Sequence, residues 1–402
     1  MSVYPVSFVR GADEIPDALW AQCFGPALEG RWWYETLERS GLEQFEFAYA
    51  LLHDGKQPVG IAPLFVMDVP LALVVPPVWM PLFKLLGHFG RVFRYQRTLF
   101  VGSPCSDEGT VGLLPGVDRP AALACLQAAL VVRARQLKAP MLVWKDFPLS
   151  YDGDLSALAR SSGMFRLESF PGTTVDLPGP SREDYYAGLK AKHRSNVKRK
   201  LKRGMAALPV DAETLRDPDA AALDEIFALF WQTYEKATTR FERLNRRCFD
   251  LLARYPRSYF IVLRERATGR MVSFMLCFLQ GDKAINKFIG IDYRQPPEGF
   301  LYFRLWDAAL AWACAAGAKS LQSGQTGYSA KLELEHRLEP LSNWCVHRNP
   351  LVHAVYRRVA GSVSWATLDS DLALHLAAHP RASSSVGAGP RRVENKRHVH
   401  PT

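Results

Sequence analysis

Apolar and polar positions alternate in blocks along this chain, and the blocks recur. Over 47–67, "FAYALLHDGKQPVGIAPLFVM", two apolar runs flank a polar turn at His53–Gln57; over 259–279, "YFIVLRERATGRMVSFMLCFL", a like pair flanks a turn at Ala267–Arg270. Such pairs predict β-hairpins. Each is followed by an Ala-rich helical segment and a short strand. These are 121–139 and 141–147 in the first half, and 300–318, ending near Gly317, and 320–324 in the second. A long element order that repeats predicts two copies of one α/β unit. The hairpins lie about 213 positions apart and the helices only about 180, so the first copy carries roughly 30 extra residues, within 68–100.

Between the copies, "LESFPGTTVDLPGPSREDYYAGL" (167–189) reads as a strand, a Pro/Gly turn and a helix that starts at Ser181 with Glu183 and Asp184 in its first turn. The next residues, "AKHRSNVKRKLKRG", are expected to form the body of that helix. Counting by four from Tyr185 gives Leu189, His193, Val197 and Leu201, a docking stripe that is apolar except at His193. The rest of the stretch is basic: eight Lys or Arg and no acid lie between Lys190 and Arg203. A helix that only needed solubility would gain from Glu–Lys pairs four apart, whereas this one repels itself.

Charge narrows the partners. The basic stretch supplies eight of the charges in a net +10, and the tail from Arg381 supplies a net four, so the remainder is slightly acidic. Basicity is therefore local, and DNA is not expected as a partner. The tail, 381–402, is rich in Ser, Gly, Pro and basic residues and is expected to lack a core. The seven cysteines are scattered without metal-ligand spacing, so no metal is expected and reduced thiols in a cytoplasmic protein are. The N-terminal "MSVYPVSFVR" has no signal-peptide pattern, and prolines break the longest apolar stretch, 69–90. No nucleophile elbow appears.

The segments "YYAGLKAKHRSNVKRKLKRG", "FALFWQTYEKATTRFERLNRRCFDLLARYPRSYFIVLRE" and "FIGIDYRQPPEGFLYFRLWDAALAWACAAGAKSLQSGQTGYSAKLELEHRLEPL" resemble the acetyltransferase domain of the GNAT superfamily in its Fem-like, double-domain branch. The resemblance covers about 180–340; the first half follows by element order. It implies an α/β (α+β) fold of two tandem GNAT-like domains, each a mixed, mostly antiparallel sheet flanked by helices. Their expected bounds are 1–176, with the insertion near 68–100, and 177–380. It also implies acyl or aminoacyl transfer to an amine, with the donor held at the splayed strands of the sheet; acyl-CoA is the expected co-substrate, and no permanently bound cofactor is expected. The usual Gly-rich phosphate loop is missing; the matching place reads Arg294-Gln295-Pro296-Pro297-Glu298-Gly299. A single Gly before a helix can still present N–H groups to phosphate, and Arg194, Lys198 and Lys202 could add contacts.

N-acylation needs a base for the amine, a polarised carbonyl and a proton for the leaving group. Candidates near strand ends are Asp292 or Glu335 as base, Tyr328 as proton donor, and Gln325 and Lys331 toward the donor. His193 is a further candidate, against a plain interface histidine. Trp144, Lys145 and Asp146 close the matching strand of the first half, as a substrate contact or a local salt bridge.

Residues 69–97 combine Trp79, Phe83, Phe89, Phe93 and Tyr95 with Lys84, Arg91, Arg94 and Arg97, a mixture suited to a membrane interface or an inter-domain lid. On the first reading the acceptor is a lipid-like amine at the inner face of the cell membrane, as in ceramide-synthase-type GNAT enzymes. One rival is a Fem-type transferase that takes aminoacyl-tRNA and acts on a cell-wall precursor. The region 210–255 is too short for the coiled-coil arm such enzymes often carry, which favours the thioester. The other rival is a non-catalytic envelope or polysaccharide-biosynthesis accessory protein.

Overall fold

The computed structural model describes residues 3–25, 27–71, 94–237 and 240–379. The centre of the insertion, 72–93, and the tail, 381–402, lie outside the described residues, so the expectations for them are not addressed by it.

The first half opens with β1 (Val6–Val9), α1 (Asp17–Phe24) and α2 (Arg31–Arg39). The predicted hairpin follows as β2 (Glu46–Asp54) and β3 (Gln57–Pro70), then β4 (Tyr95–Val101), β5 (Gly112–Leu113), α3 (Arg119–Gln136), β6 (Met141–Pro148), α4 (Asp152–Ser162) and β7 (Phe165–Glu168). β8 (Gly172–Asp176) closes the first half, and the second runs α5 (Arg182–Gly188), α6 (Ala191–Ala207), β9 (Val210–Leu215), α7 (Ala220–Lys236), α8 (Arg246–Ala253), β10 (Ser258–Glu265), β11 (Met271–Gln280) and β12 (Lys283–Ile291). It ends with α9 (Leu301–Ala315), β13 (Ser320–Gln322), α10 (Tyr328–Glu333), β14 (Arg337–Glu339), β15 (Leu341–His347), α11 (Pro350–Ala360), α12 (Trp365–Leu368) and α13 (Ser370–Ala378).

Two sheets result. One has the order β1-β2-β3-β4-β6-β15-β7, with β5 also on β3; the other has β9-β10-β11-β12-β13-β8-β14. Each is antiparallel except for one parallel pair, β4 with β6 and β12 with β13, at the same place in the order. The expected repeat of two mixed, mostly antiparallel sheets is thus present. The two copies also exchange a strand. β8 pairs with β13 and β14 in the second sheet, and β15 pairs with β6 and β7 in the first. Sheet membership therefore does not follow the 176/177 division.

The halves share one core. Leu37, Phe45, Phe65 and Phe100 of the first belong to the same buried cluster as Phe230, Phe249 and Phe274 of the second. β11 is buried from Met271 to Phe278 because both its faces are covered. Phe274, Leu276 and Phe278 pack into the shared core, while Val272, Met275 and Cys277 pack against Leu301, Leu305 and Ala309 of α9. A hydrophobic run without alternation is what such a doubly covered strand requires.

The basic stretch departs from expectation. It is not the body of the helix begun at Ser181, because that helix ends at Gly188 and a second begins at Ala191. Leu189 and Lys190 between them are extended, and the Lys190 N–H donates to Glu335 Oε1 at 2.9 Å, which stabilises the break. Ser181 does cap the first helix, in a capping box with Asp184. The second docks through Val197 and through Gly204, where a Cβ would stand 2.6 Å from the Gly299 carbonyl oxygen. Only Gly allows that approach of α6 to the turn before α9.

Candidate active site between the two halves

The parallel strands β12 and β13 pair over three positions, Lys283–Ile285 against Ser320–Gln322, and then part. β12 runs on to Ile291, whereas the chain after Gln322 turns away into a loop, 323–327, in which Gly324, Thr326 and Gly327 all have positive φ. Into this gap opens a cavity of about 650 Å³. Its walls are mainly apolar, with Phe165, Leu167 and Val359 from one side and Phe230, Phe288 and Ile289 from the other. Asn286, Lys287, Lys145, Asp146, Glu242 and Lys331 bring polar groups to it. A concave, largely apolar space with a few polar groups is the usual form of a small-molecule site.

Lys287 owes its direction to a β-bulge. The register of β11 on β12 passes from Leu276–Phe288 to Cys277–Asn286, which leaves Lys287 as the extra residue. A bulge leaves its extra residue unpaired and re-aims the side chain. Lys287 Nζ bonds Glu29 Oε1 at 2.7 Å and Asp107 Oδ2 at 3.1 Å, both from the first half, and lies 4.9 Å from the Trp33 ring centroid. Burial alone would lower the ammonium's pKa, but Asp107 and Glu29 together carry it above the ordinary lysine range.

Lys145 and Asp146 are an ion pair at the wall. Asp146, with φ of 56°, also accepts from Ser169 Oγ, and its N–H donates to Asn343 Oδ1 at 2.8 Å. These bonds hold a left-handed conformation that a non-Gly residue rarely takes. The exchanged strand β15, which carries Asn343, therefore helps to build the wall.

Lys331, on α10, reaches back under the 323–327 loop. Its Nζ donates to the carbonyls of Ser323 (2.5 Å), Gly324 (3.1 Å) and Gln325 (3.1 Å). Burial pushes this ammonium down to about 7, so that near neutral pH it stands between its two charge states. It gathers carbonyls that the left-handed loop turns inward, and so fixes the loop's shape.

Of the residues expected from sequence, the cavity brings together Lys145, Asp146, Gln325 and Lys331. The others lie elsewhere. Asp292 is buried, and although burial opposes its ionisation, bonds from Arg294 and Gln295 hold it below the usual carboxylate range; Arg270 Nη2 adds a contact at 2.9 Å. These bonds make Asp292 a clamp on the turn after β12, and it does not line the cavity. Arg294 is spent on the same clamp. Tyr328 is buried and donates to the Pro171 carbonyl at 2.8 Å, so its hydroxyl faces backbone, and burial pushes its phenol up. His193 and Glu335 pair at 2.8 Å on the flank of α6, where Glu335 secures the helix break. Trp144 is a core residue bonded to Gln127. Arg194 holds the Ala187 and Leu189 carbonyls, and Lys198 and Lys202 are exposed.

Near the turn before α9, where Gly299 is buried under α6, the basic side chains at hand are Lys200 and Arg203, over the Phe303 and Phe300 rings at 3.9 and 5.8 Å. Lys200 is also paired with Glu333 at 2.5 Å. Sequence reasoning missed Lys287 and Glu242. Lys287 had a signal: in "AINKFIGI" it shares a strand face with Ile285 and Ile289, an odd place for an unpaired charge. Glu242 sits in a loop and had none.

Among the described residues no group of side chains forms a metal site, and no helix is long and apolar enough to cross a membrane. Residues 191–331 match the family described as "Acetyltransferase (GNAT) domain". No curated protein matches the chain in sequence. Among solved structures, FemX is similar over 87% of this chain and 100% of its own, at 12% identity and a TM-score of 0.54. A tandem GNAT protein of the clavulanic acid biosynthesis pathway is similar over 86% and 99%, at 14% identity and a TM-score of 0.53. A protein of Agrobacterium fabrum described as the C-terminal domain of a lysylphosphatidylglycerol synthetase is similar over 86% and 93%, at 12% and 0.51. At these identities the likenesses speak for the fold, and the domain match speaks for the second half. With its repeated sheets and the matched domain at the parted strands, the chain shares the double-domain fold of these structures, and its residues 191–331 match the acetyltransferase (GNAT) domain.

Proposed function

We propose that this protein moves an acyl group from an acyl thioester, with acyl-CoA as the donor, to a primary amine on a lipid-like, long-chain acceptor. The observation that carries the reading is the parting of β12 from β13 into a cavity that is apolar over most of its wall and charged in one region. A thioester lying between the parted strands would place its carbonyl beside the Lys287 bulge. The backbone there is off the ladder, and its N–H could meet the charge that grows on the carbonyl oxygen. The first-turn N–H groups of α9 have no partner within their helix, and with Arg203 nearby they suit the donor's phosphates.

The apolar wall supports a long chain on one or both substrates. The cavity's edge is formed in part by Val359 and Ala360 of α11, and the same helix exposes Leu351 (77%) and Val355 (60%) beside Arg357 and Arg358. Apolar side chains next to arginines suit an anionic membrane surface, which supports peripheral action at the inner face of the cell membrane.

The test is turnover of acyl-CoA donors of graded chain length with a long-chain primary amine, read as amide by mass spectrometry. Amide formation that improves with donor or acceptor chain length is expected. Absence of acyl-CoA turnover, together with tRNA binding that weakens steeply with salt, would replace this reading with the aminoacyl-tRNA one. Absence of both activities would leave the accessory role.

A further inference from the structure

Glu242 is a carboxylate that the described fold leaves without an ion-pair partner in the place where an amine must lose a proton. It lies in the connection between α7 and α8 and lines the cavity beside Phe241. That connection is tied to the first half: Gln44 Nε2 donates to the Phe241 carbonyl at 3.3 Å, and the Phe241 ring packs on Phe45 and Phe100. Glu242 is thereby held between the two sheets, on the same cavity as the bulged β12.

The charges facing it can be named from every side. β6 presents Lys145 and Asp146, β12 presents Lys287, and the loop after β4 presents the Cys105 thiol. Each of the three charged groups is already engaged. Lys145 is bonded to Asp146, and Lys287 is held by Glu29 and Asp107. No described cation lies within salt-bridge distance of Glu242, although the protein around it is dense. Burial raises its pKa above the ordinary carboxylate range, and the Lys145 charge works against that rise. A carboxylate of this kind, enclosed but facing open space, suits proton transfer near neutral pH.

We propose that Glu242 binds the ammonium of the acceptor and is the general base that removes its proton. This rests on the reading of the cavity as an N-acylation site. The amine arrives as R–NH3+, and Glu242 takes one proton, which leaves a lone pair on nitrogen. That pair forms the N–C bond to the thioester carbonyl, and the C=O π pair moves onto oxygen. When the carbonyl re-forms, the C–S bond breaks and its pair leaves on sulfur. The second N–H proton passes to that thiolate, which departs as a thiol. Glu242 returns its proton to water. The net change is ammonium plus thioester to amide, thiol and one released proton. Lys145 and Lys287, held by their own carboxylates, keep the region from gathering uncompensated negative charge.

The experiment uses the full chain with two readouts. The first is binding of dodecylamine by calorimetry, without any donor, to wild type, Glu242→Gln and Glu242→Asp. Wild type and Glu242→Asp should bind, and Glu242→Gln should lose at least tenfold in affinity. Equal binding by Glu242→Gln, or no binding by wild type, overturns the proposal. The second is turnover with acyl-CoA and dodecylamine. Glu242→Gln should lower kcat by about 10²–10³-fold and abolish the acid limb of the pH profile, leave KM for the donor within about threefold, and keep the wild-type melting temperature. Glu242→Asp should restore the limb. A Glu242→Gln enzyme with the wild-type acid limb overturns the base role. If wild type shows Glu242-dependent amine binding but no acyl-CoA turnover, the proposed donor fails and the ammonium site stands.

Discussion

Lys287→Met tests whether the junction of the halves is built around a single cation. Lys287 is 2% exposed and bridges Glu29 and Asp107, whose side chains are 21% and 17% exposed. Methionine fills a similar volume, so packing changes little and the loss is electrostatic. Removing one partner of a fully buried pair costs about 3–5 kcal/mol because the remaining charge is stranded. Here the two carboxylates keep some contact with water and can recover part of their hydration, so the expected cost is about 2–3 kcal/mol. Urea denaturation followed by tryptophan fluorescence measures it. The triple variant Glu29→Gln, Asp107→Asn, Lys287→Met removes the stranded charges and should regain at least half of the loss. A Lys287→Met variant within about 0.5 kcal/mol of wild type, inside the range of ordinary surface changes, would refute the reasoning. The pH dependence has a definite sign. With its pKa raised in the fold, the Lys287 ammonium contributes fully below the ordinary lysine pKa, and that contribution is lost only as pH rises through the folded value.

Three other variants address other parts of the site. Lys331 has its pKa pushed down to about 7, so between that pH and the ordinary lysine range the unfolded chain holds the extra proton and wild-type stability should rise with pH, by at most about 1.4 kcal/mol per unit. Lys331→Met should remove that slope, and an unchanged slope from pH 7.5 to 9.5 in urea titrations would count against it. Tyr328→Phe deletes the bond to Pro171 and should cost about 1 kcal/mol in stability while kcat stays within threefold; a kcat drop of a hundredfold or more would restore Tyr328 as a proton donor. Leu351→Glu with Val355→Glu should leave the melting temperature unchanged and release the protein from anionic liposomes in a flotation assay, and retained binding would remove α11 from the membrane reading.

Much of this fold was legible because its repeated elements carry local signals. Both hairpins, both Ala-rich helices and the strands after them stand where their periodicity put them, and Ser181 caps the helix it was expected to cap. The break at Leu189–Lys190 was not legible. The count by four through Tyr185, Leu189 and His193 is unbroken, and the carboxylate that stabilises the interruption, Glu335, comes from 145 residues further along. The exchange of β8 and β15 was hidden for a related reason: strand propensity says that a segment is extended and nothing about which sheet receives it. The site divides along the same line. Lys331 and Gln325 sit on a segment with a recognisable pattern. Glu29, Asp107 and Glu242 sit in loops, and only the meeting of the halves brings them together.

On the proposed reading, the repeat also explains why one chain should hold one donor site. In each sheet the parallel pair parts, and in the first sheet this follows Val101 and Trp144. There, however, the chain fills its own gap. Gly102 N–H donates back to the Pro63 carbonyl, and Gly109 N–H donates to the Asp146 carbonyl at 2.8 Å, on the edge of β6 that the parting would otherwise leave open. Gly109 packs so closely that a Cβ would stand 2.2 Å from the Lys145 carbonyl oxygen, which is why the filling loop needs glycine there. The same loop carries Asp107 across to Lys287. The first copy has thus exchanged an open cleft for a plug, and the plug braces the cleft of the second. A donor analogue should accordingly bind with a stoichiometry of one per chain, and calorimetry that returned two would show that the plug yields.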